Sequence, residues 1–219
     1  MKKISMNGKI IRMFRQLFKR PKIIIPFSVL TVLISITCLI GLWFFYKHWY
    51  PPMLVLTPED VGNGALIETN YGNIEVVFNR NVNFPASQFT RLARSGFYDG
   101  TRIHRIVPDL LIEGGDPLTR FTELKPLWGQ GGSTSVFKNE THMDDNMIEG
   151  TFALTGSSVG TYGSHFFILT KNTPWMKGQH TILGTVVKGL DVVRHIAGIQ
   201  TDTVNFPLED IIIYKITII

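Results

Sequence analysis

Residues 23–46 read IIIPFSVLTVLISITCLIGLWFFY, twenty-four consecutive residues without a charge. As a helix rising ~1.5 Å per residue this run is ~36 Å long, more than the ~30 Å hydrocarbon core of a bilayer. A helix buried in a soluble core usually keeps one polar stripe, and this run has none. A cleaved secretory signal has a shorter apolar stretch of ~7–15 residues ending at small residues. Here the run continues into Trp43, Phe44, Phe45 and Tyr46, with Trp49 and Tyr50 following. Such aromatics suit the membrane–water interface. The segment predicts an uncleaved single-pass helix, with the lipid bilayer as its partner.

The charges orient it. Eight of the 22 basic residues lie in residues 1–22, which contain no acid. The other 14 face all 17 acidic residues, a net of −3 beyond the apolar run. The basic isoelectric point of 9.4 therefore belongs to the tail, and a nucleic-acid partner loses its support. A basic tail stays in the cytoplasm. The rest of the chain is then extracytoplasmic, as on a bacterial cell membrane. The tail sets topology and has the charge to touch anionic headgroups.

Residues 47–63 form a linker containing Pro51, Pro52 and Pro58. Residues 64–219 suit one domain. The single cysteine, Cys38, rules out a disulfide framework and a cysteine-based zinc site. The hydrophobic pattern reads as mostly β. Ala65–Thr69 and Ile74–Phe78 flank Asn70-Tyr71-Gly72-Asn73 in a hairpin pattern. Further strands are expected at Ile103–Val107, Leu110–Glu113, Thr151–Leu154, His165–Leu169, Thr181–Val187 and Ile211–Ile219. Helices are expected at Pro85–Ser95, stopped by Gly96, and at Leu190–Ile196. Many short strands with two helices predict a closed β-barrel with helical plugs.

Four stretches carry a resemblance: GFYDGTRIHRIVPDLLIEGGD (96–116), GTFALTG (150–156), GSHFFIL (163–169) and TPWMKGQHTILGTVVKGLDVV (173–193). In order and spacing they resemble the cyclophilin-type peptidyl-prolyl isomerases, over nearly all of 64–219. The resemblance implies a closed eight-stranded antiparallel barrel capped by two helices. It also implies interconversion of cis and trans X–Pro bonds in proline-containing polypeptides.

That chemistry defines what a site needs. The barrier of ~18–20 kcal/mol is lost amide resonance. No bond breaks, so no nucleophile, metal or cofactor is required. An apolar pocket grips the proline ring away from water, and a fixed donor bonds the prolyl nitrogen as its lone pair forms. Acceleration from tens of seconds to milliseconds needs ~10⁴-fold, or about 5.5 kcal/mol. One charge-assisted hydrogen bond supplies ~1.5–3 kcal/mol, so the pocket must supply the rest. Arg105 aligns with the family's catalytic arginine, and an arginine keeps its proton and its planar fork. Phe167 aligns with the floor of the proline pocket. Trp175 and His180 align with binding-surface residues. His104, one residue before Arg105, is expected to face the other way and be structural.

The chain departs from the pattern at several positions. Leu110 and Leu111 replace a phenylalanine and a methionine. Glu113 replaces the glutamine that orients the arginine, and His165 replaces a second glutamine. Thr155-Gly156-Ser157 replaces an Ala-Asn-Ala run that binds peptide backbone. Met176 replaces a leucine and Gln179 a lysine. Pro117–Gly129 is longer than the plainest family pattern and, with WGQGG following from Trp128, reads as an ordered loop. A carboxylate facing Arg105 either pins the guanidinium in place or competes for its donors, and reduced activity is the expectation.

Two other readings stand beside an isomerase. One is a tethered proline-peptide binding module with little catalysis. The other is a structural subunit of a membrane complex, with Ser35, Thr37 and Gly41 packing on a partner helix. His142, Asp144 and Asp145 have no further ligand at metal-site spacing and are not read as a metal centre. Asn139-Glu140-Thr141 fits a glycosylation sequon, which chance also supplies.

Overall fold

The structure, a computed structural model, describes residues 35–41, 61–79, 83–133, 140–141, 146–155 and 163–219. The chain divides into two units, Met1–Met53 and Leu54–Ile219. Of the first unit, residues 35–41 are described, and they are helical. Among the described residues no helix is long and apolar enough to cross a membrane. The basic tail 1–22, the remainder of the expected 23–46 span and linker residues 47–60 lie outside the described residues. So do Gly156, Ser157, Asn139 and the His142, Asp144 and Asp145 group.

The second unit carries eight antiparallel strands: β1 (Gly64–Thr69), β2 (Gly72–Phe78), β3 (Arg105–Val107), β4 (Leu111–Gly114), β5 (Thr151–Leu154), β6 (Phe166–Leu169), β7 (Thr181–Lys188) and β8 (Ile213–Ile218). Two α-helices join them, α1 (Asn83–Arg94) and α2 (Leu190–Ala197). The strand order is β3-β4-β6-β5-β7-β2-β1-β8. The expected elements are present, with boundaries shifted by a few residues. The first hairpin is tighter than its sequence pattern suggests. Thr69 pairs directly with Gly72, leaving a two-residue turn at Asn70 and Tyr71. The Thr69 hydroxyl closes it by donating to the Gly72 carbonyl at 2.7 Å.

The expectation of a closed barrel is corrected. β3 and β8 end the sheet on opposite sides and share no ladder. The Ile106 N–H of β3 donates instead to the Asn205 carbonyl, 3.0 Å away in a loop. The segment before β3 meets the start of β8 instead: Gly100 N–H donates to the Ile213 carbonyl, Ile213 N–H to the Thr101 carbonyl and Ile103 N–H to the Ile211 carbonyl, around the isolated bridge Arg102↔Ile212. The sheet is a half-barrel whose edge groups are taken by loops, which protects them from pairing with another chain.

The concave side is filled by aromatics. Phe89 of α1 lies 5.2–6.0 Å, centroid to centroid, from Phe78, Tyr98, Phe152 and Phe166. Ala86, Leu92 and Ala93 bury the same helix face, as their spacing predicts. The helix stops where Gly96 adopts φ +70°, the left-handed conformation that favours glycine. Phe97 N–H then donates to Leu92 O and Gly96 N–H to Ala93 O, a Schellman closure. From α2, Val193 and Ile196 join this core.

Phe89 holds four ring contacts at once, so its truncation leaves a large cavity. Phe89→Ala should lower unfolding free energy by ~3–5 kcal/mol, read as an earlier urea midpoint with an unchanged slope.

Candidate functional site

Strands β4, β5 and β6 are buried along their whole length. Alternation therefore sends two apolar sets to opposite faces. One set, Ile106, Ile112, Ile168 and Phe152, joins the main core. The other runs across the strands as Arg105↔Glu113↔Phe167↔Ala153↔Ile182. Two residues along, Val107↔Leu111↔Leu169 repeats the same face. Residues directly opposite one another share a face, so this row sets a charged pair beside an apolar strip.

The apolar strip is a second, smaller cluster of Leu111, Met147, Ala153, Phe167, Leu169 and Ile182. Val107, Leu110 and Met176 pack against it, half-buried. Four sequence-predicted residues therefore meet here: Leu110, Leu111, Phe167 and Met176. His180 joins them, its ring 5.0 Å from Phe167 in an edge-on contact. Burial pushes the His180 imidazole below its ordinary value and so favours its neutral form, against the opposing pull of the Glu113 charge. Trp175 sits on a short 3₁₀ turn, Pro174–Met176, with 65% of its surface exposed. Its carbonyl accepts from the Gln179 side chain at 2.8 Å.

At the charged end, Arg105 donates one guanidinium arm to Glu113 Oε2 at 2.9 Å. The arginine side chain is 43% exposed and the carboxylate 9%. Thr155 Oγ1 donates to the other oxygen, Oε1, at 3.3 Å. Thr155 thus reaches the site through Glu113. His165 is buried, and its Nδ1 lies 3.6 Å from Oε1. Its Nε2 meets the Gly131 carbonyl at 2.7 Å.

That carbonyl is delivered by the long loop after β4. The loop is ordered, as expected, and holds two 3₁₀ helices, Pro117–Arg120 and Thr122–Leu127. Asp116 organises it by accepting backbone N–H groups from Leu118, Gly129 and Gly131 at 2.5–3.2 Å.

The expected orientation of His104 is corrected, while its burial agrees with a structural residue. Its ring lies 5.2 Å from the His165 ring, and it offers a nitrogen within 4.8 Å of the Glu113 and His165 donor atoms. Strand β3 begins only at Arg105, so strict alternation does not extend to residue 104. His104, Glu113 and His165 are a buried group able to hold a metal ion. A helpful signal was present in the sequence: two of the three stand where the resemblance expects glutamine. Ala153, Ile182 and Met147 of the apolar strip were also not singled out, although Ala153 lies within the matched run GTFALTG.

The family described as cyclophilin type peptidyl-prolyl cis-trans isomerase/CLD matches residues 65–218. Peptidyl-prolyl cis-trans isomerase ppi1 of Schizosaccharomyces pombe is 34% identical over 154 residues, covering 68% of this chain and 94% of that protein. Peptidyl-prolyl cis-trans isomerase 9 of the same yeast is 36% identical over 160 residues, or 73% of this chain, which spans only 26% of that longer protein. A crystal structure of a Cryptosporidium parvum cyclophilin type peptidyl-prolyl cis-trans isomerase in the presence of the dipeptide Ala-Pro superposes with a TM-score of 0.64 at 27% identity. It covers 71% of this chain and 98% of that one. The half-barrel with its adjoining strip defines a cyclophilin-like domain. The chain belongs to the cyclophilin-type peptidyl-prolyl cis-trans isomerase family.

Burial alone would push the Glu113 carboxyl up. The neighbouring His165, His104 and Arg105 outweigh it and hold the pKa at about 2, against an ordinary 4.5. A carboxyl lowered by folding stabilises the fold above its unfolded pKa, and that stability is lost as pH falls through the folded value. Glu113→Gln should therefore be less stable than wild type at pH 7, by ~2–3 kcal/mol. Urea midpoints of the two proteins should converge as pH falls from 4.5 toward 2.

Proposed function

We propose that this chain is a membrane-tethered peptidyl-prolyl cis-trans isomerase acting on X–Pro bonds of exported or membrane proteins, with an activity restrained by Glu113. The observation that carries this reading is the shared sheet face of Arg105 and Phe167. A proline ring seated on Phe167, Leu111 and Met176 places its peptide bond toward the arginine. The strip removes water from the twisting bond, and the guanidinium supplies a donor to the prolyl nitrogen as its lone pair develops. His180 borders the pocket as a neutral ring. The resemblance assigns Gly156 and Ser157 to backbone contacts with the peptide, beside Thr155.

The restraint has a physical origin. A glutamine orients an arginine without cancelling its charge, whereas the Glu113 carboxylate does both. The arginine is held, but its donors are less positive. The relative solved with Ala-Pro supports a proline dipeptide as the minimal ligand for this site.

Two tests address the chemistry. In NMR exchange on an Ala-Pro peptide, the fragment 54–219 should accelerate interconversion, and Arg105→Ala should lower kcat/KM by about 10–150-fold, the equivalent of one charge-assisted bond. Glu113→Gln should raise kcat/KM several-fold. Peptide shifts without acceleration would make the domain a binding module instead.

A further test addresses the tether. Residues 23–46 as a spanning helix, the basic tail inside and the isomerase domain outside predict that the full chain stays with membranes through alkaline carbonate extraction. External protease should then digest residues 64–219 on intact spheroplasts. Release by carbonate, or protection of the domain from protease, would overturn this arrangement.

A further inference from the structure

Beyond residue 60 the chain holds no cysteine, and its sulfur is confined to three methionines at positions 143, 147 and 176. Met143 lies outside the described residues. Met147 is 2% exposed and closed to solutes. Met176 is half-buried, so of the two described it is the one that a dissolved oxidant can reach.

Met176 also stands where an added polar atom matters. It packs against the apolar cluster that holds Phe167, Leu111 and Ile182. The family's pattern has a leucine at this position, and leucine and methionine fill similar volumes. Gripping a proline ring gains nothing from the exchange. What the exchange brings is chemistry: a thioether reacts with peroxide, and a leucine side chain does not.

The backbone that carries Met176 is fixed without help from its side chain. Thr173 N–H donates to the Met147 carbonyl at 2.7 Å, Met176 N–H to the Thr173 carbonyl at 2.9 Å and Gln179 N–H to the Met176 carbonyl at 3.2 Å. The Gln179 side chain closes on the Trp175 carbonyl at 2.8 Å. A change at the sulfur therefore alters the pocket wall while the turn keeps its place.

We propose that Met176 is an oxidant-sensitive modification site whose sulfoxide switches the proline pocket off. The inference rests on the assignment of this apolar strip to the proline ring. The co-reactant is hydrogen peroxide. The thioether sulfur attacks one peroxide oxygen, so an S–O bond forms as the O–O bond breaks. Sulfur loses two electrons, and the displaced oxygen leaves as water with both peroxide protons. The product sets a dipole and a hydrogen-bond acceptor where the proline ring needs an apolar wall. Seating the ring against that oxygen strips it of water without offering a donor. A thiol-dependent sulfoxide reductase reverses the change: two thiols become a disulfide and the oxygen leaves as water.

The test uses the full chain in mild detergent, with NMR exchange on the Ala-Pro peptide before and after hydrogen peroxide. Peptide mass mapping should place the first added oxygen on Met176 and leave Met147 unmodified. kcat/KM should then fall by about 5–150-fold, the cost of burying an unpaired polar group, with most of the loss in KM. Methionine sulfoxide reductase with dithiothreitol should restore it. Met176→Leu, at whatever level it starts, should show the same kcat/KM before and after peroxide, and Met147→Leu should remain sensitive. Near-UV circular dichroism checks that the treated proteins stay folded. The switch is overturned if folded protein fully oxidised at Met176 keeps its kcat/KM, if Met176→Leu is inactivated as wild type is, or if Met147 oxidises first. A reduced wild type that does not accelerate exchange would overturn the pocket assignment and the switch together, whereas activity that survives oxidation overturns the switch alone.

Discussion

The Arg105–Glu113 pair governs this face of the domain. A carboxylate taken almost wholly out of water is expensive unless partners surround it. Arg105 supplies the charge, Thr155 a hydroxyl hydrogen bond and the histidines the remaining neighbours. Each of those partners is itself held. Arg105 and Glu113 face one another because β3 and β4 pair in that register. His165 is turned by the Gly131 carbonyl, and Gly131 is placed by Asp116. The long loop after β4 thus acts on the site from outside it, through backbone groups rather than through a side chain at the pocket.

The same register explains why one sheet serves as both core and site. On one face Phe152, Ile112 and Ile168 meet the aromatics around Phe89. On the other, Phe167, Leu111 and Ile182 belong to the second apolar cluster, against which Val107, Leu110 and Met176 pack. Stability and binding consequently draw on different residues of the same strands, and the short strand lengths leave little room for slippage that would exchange the two sets.

Much of this was legible in the sequence, for local reasons. Thr151–Leu154 was read with its observed limits because a four-residue apolar run between Gly150 and Thr155 has no other regular use. Gly96 marked the end of α1 because only a glycine takes that turn cheaply. The resemblance assembled Arg105, Phe167, Leu110, Leu111, Met176 and His180, which lie far apart along the chain. What was not legible depends on long-range geometry. Closure of the barrel turns on whether β3 and β8 reach each other, and Asn205, nearly a hundred residues from Ile106, decides that they do not. The orientation of His104 was not legible because strict alternation does not extend to the residue before the strand begins. The histidine–glutamate cluster stayed hidden because its members belong to three segments, each unremarkable alone.

The manner in which Arg105 is held bears on how a carboxylate can replace a glutamine without abolishing the site. A bidentate grip would take both ends of the fork and leave the guanidinium little to offer. Here a single arm reaches Oε2, and Oε1 is turned toward His165 and Thr155. A guanidinium carries five N–H donors, so one anchored arm fixes its plane while others remain for a ligand. Its side chain is 43% exposed. Glu113 therefore fixes the guanidinium by a single bond and sets a negative charge beside it.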